Sequence, residues 1–285
     1  MRLLDSDVTT KDVLGWQGLH LIHFQGSACS QKTRIFLSLK GIDWQSHHLD
    51  LSRQQNYKPW FLGVNPRGLV PVLIHDGAVH IESNDIMIYL EEKFPQPPLL
   101  PAEQHSDILD ALRAEDDLHL NLRALTMRFV IPKFLAQKKP YALSAYEQSN
   151  GSVQGNADSL KNIELAFWQD FAKHGVTDQQ VKESAQAFKQ TYSLLEQQLE
   201  QYPYLTGGGF SVLDIAWFIY TERLTAAGYP FQRLHPKVFA WYQSLAARPE
   251  FRKEVKAPAF LRLATAVMQT VQRIKGTTFE QVARL

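Results

Sequence analysis

Three short segments carry residue types that could meet an anion and an α-amino acid end. Gly26-Ser-Ala-Cys-Ser30 sits between an apolar run and a helix-like run. The first N–H groups of a helix have no partner within it and point at whatever lies in front. The helix dipole favours negative charge at the same place. A hydroxyl there can meet an anion, and a thiol there can become one. Asn65-Pro-Arg-Gly-Leu-Val-Pro71 ends in a proline that cannot donate a sheet bond, so the peptide before it is free to face a ligand. Base rates alone make the Val70–Pro71 bond trans. Glu82-Ser-Asn-Asp85 opens a helix. Ser83 either caps that helix or leaves its N-terminus to a ligand carboxylate. Glu82, just before it, can take an ammonium. An α-amino acid end has both groups.

These segments need elements to hold them. Leu19–Phe24 reads as a short strand broken by Gly26, and Gln31–Lys40 as a helix closed by Gly41. Asp43–Leu51 reads as a second strand. Val72–His75 and Ala78–Glu82 flank Asp76-Gly77, a type I′ hairpin signal. From Ser83, residues Ile86, Tyr89, Leu90 and Phe94 share a helix face. The order is β-α-β, connector, β-β-α. The proline-rich stretch 96–101 is a linker. Everything beyond it is helical in pattern: His105–Phe129, Lys189–Gln201, Val212–Leu224 and Phe239–Ala247. The domains expected are a loose arm (1–16), an α/β domain (17–95), the linker, and an all-α domain (102–285). A long insert, about Pro132 to Asp178, includes a polar segment, Ser149–Ser159, that reads as a mobile loop.

Ser211-Val-Leu-Asp214 is a capping-box variant, and Ile215–Ile219 after it is apolar on every side. That helix is expected to be the buried spine of the second domain. The tail Ala257–Lys275 has one apolar face and reads as a docked terminal helix, with a membrane-surface helix as the alternative.

Composition removes several function classes. The 285 residues are 45% hydrophobic, which excludes full-length disorder. A net charge of +1 leaves no basic footprint for nucleic acid. One cysteine, Cys29, allows neither an internal disulfide nor a cysteine-cluster metal site. No metal is expected: His47 and His48 point to opposite faces of a strand and no metal-binding motif accompanies them. Gly207-Gly208-Gly209 lacks the context of a dinucleotide site. With no signal-peptide pattern and no apolar run of membrane-spanning length, a cytoplasmic setting is the expectation.

In this order the segments resemble the soluble glutathione transferase superfamily, whose pattern is an α/β thioredoxin-like domain followed by an all-helical one. Ser27 to Asp43 is similar to the serine-rich, cysteine-containing helix start of the zeta class. Asn65–Pro71 resembles the family's cis-proline loop, Glu82-Ser83 its γ-glutamyl site, and Gly207–Asp214 its buried capped helix. The long insert and the motif around Asp76-Gly77 and Glu82-Ser83 also look like those of bacterial enzymes that cleave aryl ethers with glutathione. The resemblance covers about residues 18–135 and 185–255.

What the resemblance implies is specific. Ser27 would hydrogen-bond the glutathione sulfur, or else serve only as a helix cap. Cys29 is the alternative catalytic residue, through a mixed disulfide, or else a small buried residue. In cysteine-type classes the thiol aligns with Ser27, which speaks against Cys29. Val70, presented by Pro71, would pair with the cysteinyl backbone. Glu82 and Ser83 would hold the γ-glutamyl end, and Lys58 and Gln54 the glycine carboxylate. The helical domain would supply the pocket for a small hydrophobic electrophile; Asp116, His119 and Arg123 read as a solvated or dimer-facing stripe. Glutathione is the co-substrate and a homodimer the expected assembly. Ether cleavage or isomerisation on the same site, and a non-catalytic binding module, are the rival functions.

Overall fold

The computed structural model describes residues 1–285. The chain forms two compact units: Met1–Lys93 with Gln137–His174, and Phe94–Ala136 with Gly175–Leu285.

The first unit opens with β1 (Leu19–His23), α1 (Ala28–Lys40), β2 (Gln45–His48), α2 (Pro59–Leu62), β3 (Val72–His75), β4 (Ala78–His80) and α3 (Ser83–Lys93). The sheet order is β2-β1-β3-β4, with β1 parallel to β2, and β3 antiparallel to both β1 and β4. A parallel pair needs a crossover, and α1 supplies it. Central β1 is buried along its whole length, so it reads as an unbroken apolar run and not as an alternation. This is the thioredoxin-like arrangement expected. Edge strand β2 is shorter than the sequence suggested and largely exposed. Its His47 stacks on Trp16 and meets His20 at 2.9 Å, while His48 lies against Phe24. Asp76 and Gly77 have φ of 49° and 78°, the left-handed pair that a type I′ turn requires. A Cβ at Gly77 would lie 2.2 Å from the Leu14 carbonyl oxygen.

Residues 1–16 are not loose. Leu3, Val8 and Val13 are buried in the same core as Ile22, Val72 and Val79. The Leu3 N–H donates to the Val79 carbonyl and the Ile81 N–H to the Met1 carbonyl, both at 2.9 Å. The arm thus covers the open edge of β4, whose unpaired backbone groups would otherwise invite another chain.

After Lys93 the chain forms α4 (His105–Asp116), α5 (His119–Phe129) and α6 (Lys133–Ala136) in the second unit. The expected single helix His105–Phe129 is therefore two. At the break, the Leu118 N–H bonds three residues back, to the Glu115 carbonyl, and the helical ladder restarts. The chain then re-enters the first unit as α7 (Pro140–Gln148), β5 (Ser152–Val153), β6 (Asn156–Ala157) and α8 (Ser159–His174). This stretch, expected as part of the all-α domain at 102–285, clusters with the first unit instead. Tyr146 anchors it: the ring is wholly buried, stacks on Tyr57 at 4.8 Å, and donates its hydroxyl to the Arg67 carbonyl at 2.8 Å. The stretch read as a mobile loop is a small hairpin, β5 with β6. Asp7 grips it, accepting from the Ser152 hydroxyl and from the Gln154 and Gly155 N–H groups at 2.5, 2.9 and 3.0 Å. Burial works against the Asp7 charge, yet these bonds outweigh it and hold the carboxyl below its ordinary range.

The second unit continues with α9 (Asp178–Gln201), α10 (Val212–Ala227), α11 (Phe231–Leu234), α12 (Pro236–Ala246), α13 (Pro249–Arg252), α14 (Ala259–Lys275) and α15 (Phe279–Ala283). Helix α9 starts earlier than its apolar periodicity suggested, because Thr177 and Gln180 form a full capping box. In α10, residues 212 to 221 are buried without a break, as a central spine requires. The linker is not free: Leu99 and Leu100 are buried, and the Leu99 carbonyl takes the Val212 N–H at 2.8 Å.

Helix α14 docks the other way round from expectation. Thr265, Gln269 and Gln272 donate to the carbonyls of Val130, Ala226 and Arg128. Those carbonyls sit at or near helix C-termini, where backbone acceptors lack partners. The apolar stripe, Phe260, Leu263, Val267, Val271 and Ile274, is left exposed. No helix is long and apolar enough to cross a membrane.

Candidate glutathione site

Ser27 is the N-cap of α1. It has extended backbone geometry, and its oxygen accepts from the Ser30 N–H at 3.2 Å. Capping uses the oxygen lone pair and leaves the hydroxyl hydrogen free to donate. That hydrogen goes to the Val70 carbonyl at 3.4 Å, a long bond. The two segments at residues 26–30 and 65–71 therefore meet at these two residues. The turn before Ser27 is pinned by Arg34, which donates to the carbonyls of Phe24 and Gln25 at 3.2 and 3.1 Å. Cys29 lies two residues into α1, half-buried, its carbonyl accepting from the Thr33 hydroxyl at 3.3 Å.

The Val70–Pro71 bond is cis, as the family resemblance implied and contrary to base rates, and both residues are buried. The Gln96–Pro97 bond is cis too, which nothing in the sequence signalled. The loop leading to Pro71 holds itself together. Asn65 accepts from the Arg67 N–H at 3.1 Å and donates to the Leu69 carbonyl at 2.8 Å, and Asn56 donates to the Gly68 carbonyl at 2.9 Å.

Glu82 is the N-cap of α3, its carbonyl accepting from the Ile86 N–H at 2.8 Å. It sits at φ 66°, a left-handed conformation that costs a non-glycine residue about 1 kcal/mol or more. Ser83 follows, buried at the first turn. Behind them, the fully buried Lys32 of α1 reaches Asn84 at 3.4 Å.

Arg67 joins the proline loop to Glu82, and sequence reasoning did not single it out. Its Nη1 donates to Glu82 Oε1 at 2.5 Å. Its other edge, Nε and Nη2, donates to the two oxygens of Asp158 at 2.6 and 3.2 Å. The side chains of Arg67 and Asp158 are nearly sealed from solvent, and that of Glu82 is 30% exposed. Burial disfavours the guanidinium charge, but Asp158 and Glu82 overcome that and hold Arg67 above its ordinary value. Arg67 was visible inside a quoted motif. Asp158 lay in a polar stretch with no pattern, 91 residues away.

Of the residues expected at the glycine end, Gln54 is buried in the left-handed region at φ 56°, and its side-chain carbonyl accepts from the Lys139 N–H at 3.0 Å. Its NH2 group remains the donor that a carboxylate would need. Lys58 is exposed at the start of α2.

The family model for the glutathione S-transferase N-terminal domain matches residues 26–93, and that for the C-terminal domain matches residues 178–244. Protein LigF of Sphingobium sp. is 29% identical over 82% of this chain and 92% of its own length. The crystal structure of beta-etherase LigF from that genus covers 84% of this chain and 98% of its own, with 27% identity and a TM-score of 0.70. Glutathione S-transferase 1 of Dianthus caryophyllus is 45% identical, over 30% of this chain. A zeta-class glutathione S-transferase of Euphorbia esula is 39% identical over 32%. The chain matches only 39–41% of the length of these two plant relatives. Both family domains are present in order, around a middle stretch that neither matches, and the chain belongs to the glutathione S-transferase superfamily.

Proposed function

We propose that the protein is a cytoplasmic, homodimeric glutathione transferase that activates the glutathione thiol beside Ser27 and delivers it to a small hydrophobic electrophile. The observation that carries this reading is the meeting of the Ser27 hydroxyl with the Val70 carbonyl, in front of the α1 N-terminus. Glutathione would lay its cysteinyl backbone along Val70. Its γ-glutamyl carboxylate would face Ser83 and the α3 N-terminus, and its ammonium Glu82. The glycine carboxylate would take the Gln54 amide and Lys58.

A free thiol has a pKa of about 8.5, so little thiolate exists at neutral pH. Moving the Ser27 O–H from Val70 to sulfur, with the α1 dipole behind it, favours the anion. Ser27 keeps its own proton. The thiolate then attacks an electrophilic carbon, a C–S bond forms, and the leaving group departs with the bonding pair.

A second reading is favoured by the likeness to LigF along nearly its whole length, since that protein is a beta-etherase. On an aryl ether the C–O bond breaks, and the aryloxide takes a proton from water to leave as a phenol. The test is retention on immobilised glutathione, followed by assays with an aryl ether and with 1-chloro-2,4-dinitrobenzene. Retention with thioether formation is expected. Phenol release from the ether selects the second reading. Retention without turnover of either probe selects isomerisation or a binding module over transfer, and no retention overturns the glutathione site itself.

A further inference from the structure

Asp158 belongs to the stretch that neither family model matches, yet it sits against the N-terminus of α3 through Arg67. Resting on the glutathione reading above, we infer that Asp158 is a positioning residue: by occupying one edge of Arg67, it keeps Glu82 available for the γ-glutamyl ammonium. A guanidinium has a planar fork that pairs best with both oxygens of one carboxylate. Here that fork, Nε with Nη2, is spent on Asp158. Only Nη1 is left for Glu82, and it touches only Oε1. No protein hydrogen bond reaches Glu82 Oε2, on a side chain that is 30% exposed. One guanidinium between two carboxylates also leaves the cluster with a net charge of −1, the charge that attracts an ammonium. Without Asp158, Arg67 would turn its fork on Glu82, cover both oxygens and cancel the charge.

Asp158 is held where it must be. It accepts from the Leu160 N–H at 3.4 Å at the head of α8. The preceding helix is fixed from the other side by the Tyr146 bond to the Arg67 carbonyl. The main chain and the side chain of Arg67 are thus both tied to the insert.

The experiment compares glutathione with glutaryl-cysteinyl-glycine, which lacks the α-amino group, by calorimetry on the full-length wild type, Asp158→Asn and Asp158→Glu. The wild type is expected to prefer glutathione by about tenfold or more. Asp158→Asn should lose that preference chiefly through weaker glutathione binding, and Asp158→Glu should retain much of it. Should Asp158→Asn fail to fold, Asp158→Ser carries the same test, because it too removes the carboxylate that occupies the Arg67 fork. A wild-type preference that survives in Asp158→Asn, or in Asp158→Ser, overturns the inference while leaving the glutathione reading intact. So does a wild type that binds both peptides equally. A wild type that binds neither peptide overturns the glutathione reading as well.

Discussion

The Ser27 hydroxyl donates to the Val70 carbonyl across 3.4 Å while its oxygen accepts from the Ser30 N–H. The donor is thus already aimed at the loop residue that would pair with the cysteinyl unit, and its bond there is weak enough to give up. Ser27→Ala should lower kcat/KM by about 100-fold, the usual scale for removing one donor to a developing anion. Loss of the cap should cost about 1 kcal/mol of stability. Cys29→Ala should stay near wild type in both. Steady-state kinetics and thermal melts check this, and the reverse order would move the chemistry to the thiol.

Two buried histidines contribute to the pH response of stability. Burial, then the nearby Arg34 charge, pushes His23 down to about 4, and Arg34 donates to its Nδ1 at 3.0 Å, which requires the neutral ring. Burial, then the N-terminal ammonium, pushes His80 down to about 4. The unfolded chain binds these protons near pH 6.5 and the folded chain does not. Stability should be full above pH 6.5 and decline steadily from there towards pH 4. Melting temperature measured across that window should show the decline, and replacing both histidines by glutamine should lessen it.

Tyr146→Phe should cost about 1–2 kcal/mol, because the buried Arg67 carbonyl loses its donor. Asp7→Ala should instead loosen the hairpin locally. Amide hydrogen exchange at residues 152–157 should rise sharply in that variant while the exchange of β1 stays as in the wild type.

Asp214 is sealed inside the helical unit, where burial raises its pKa, and it accepts from the N–H groups of Leu205 and Ser211, the Ser211 hydroxyl and the Trp241 indole. Removing an acceptor shared by several buried donors leaves all of them unpaired. Asp214→Ala should cost about 3 kcal/mol or more, seen as a lower denaturant midpoint, and Asp214→Asn less.

Local signals made much of this readable in advance. The β-α-β, β-β-α order followed from apolar runs punctuated by glycine and proline, and α10 from its unbroken apolar face. Ser27, Val70 and Glu82 lay in motifs whose backbone roles are set by near neighbours. Asp158, Tyr146 and Asp7 were not readable, because each acts on a partner about 80 to 150 residues away, through pairings no periodicity encodes. Helix α14 misled for a related reason. Amphipathy says that a helix has two faces, and the body settled which one docks by offering free carbonyls in place of an apolar groove.

The route of the chain has a consequence for its synthesis. It passes between the two units three times, at residues 93, 136 and 174, so neither unit is a continuous stretch. A fragment ending at Lys93 would carry Ser27, Val70 and Glu82 but would leave the Arg67 carbonyl and guanidinium without Tyr146 and Asp158. On the ribosome the N-terminal unit is complete only once α8 has emerged, by which time α4 to α6 have been made ahead of their partners in the second unit. Excising either half as an autonomous module would cut through the other.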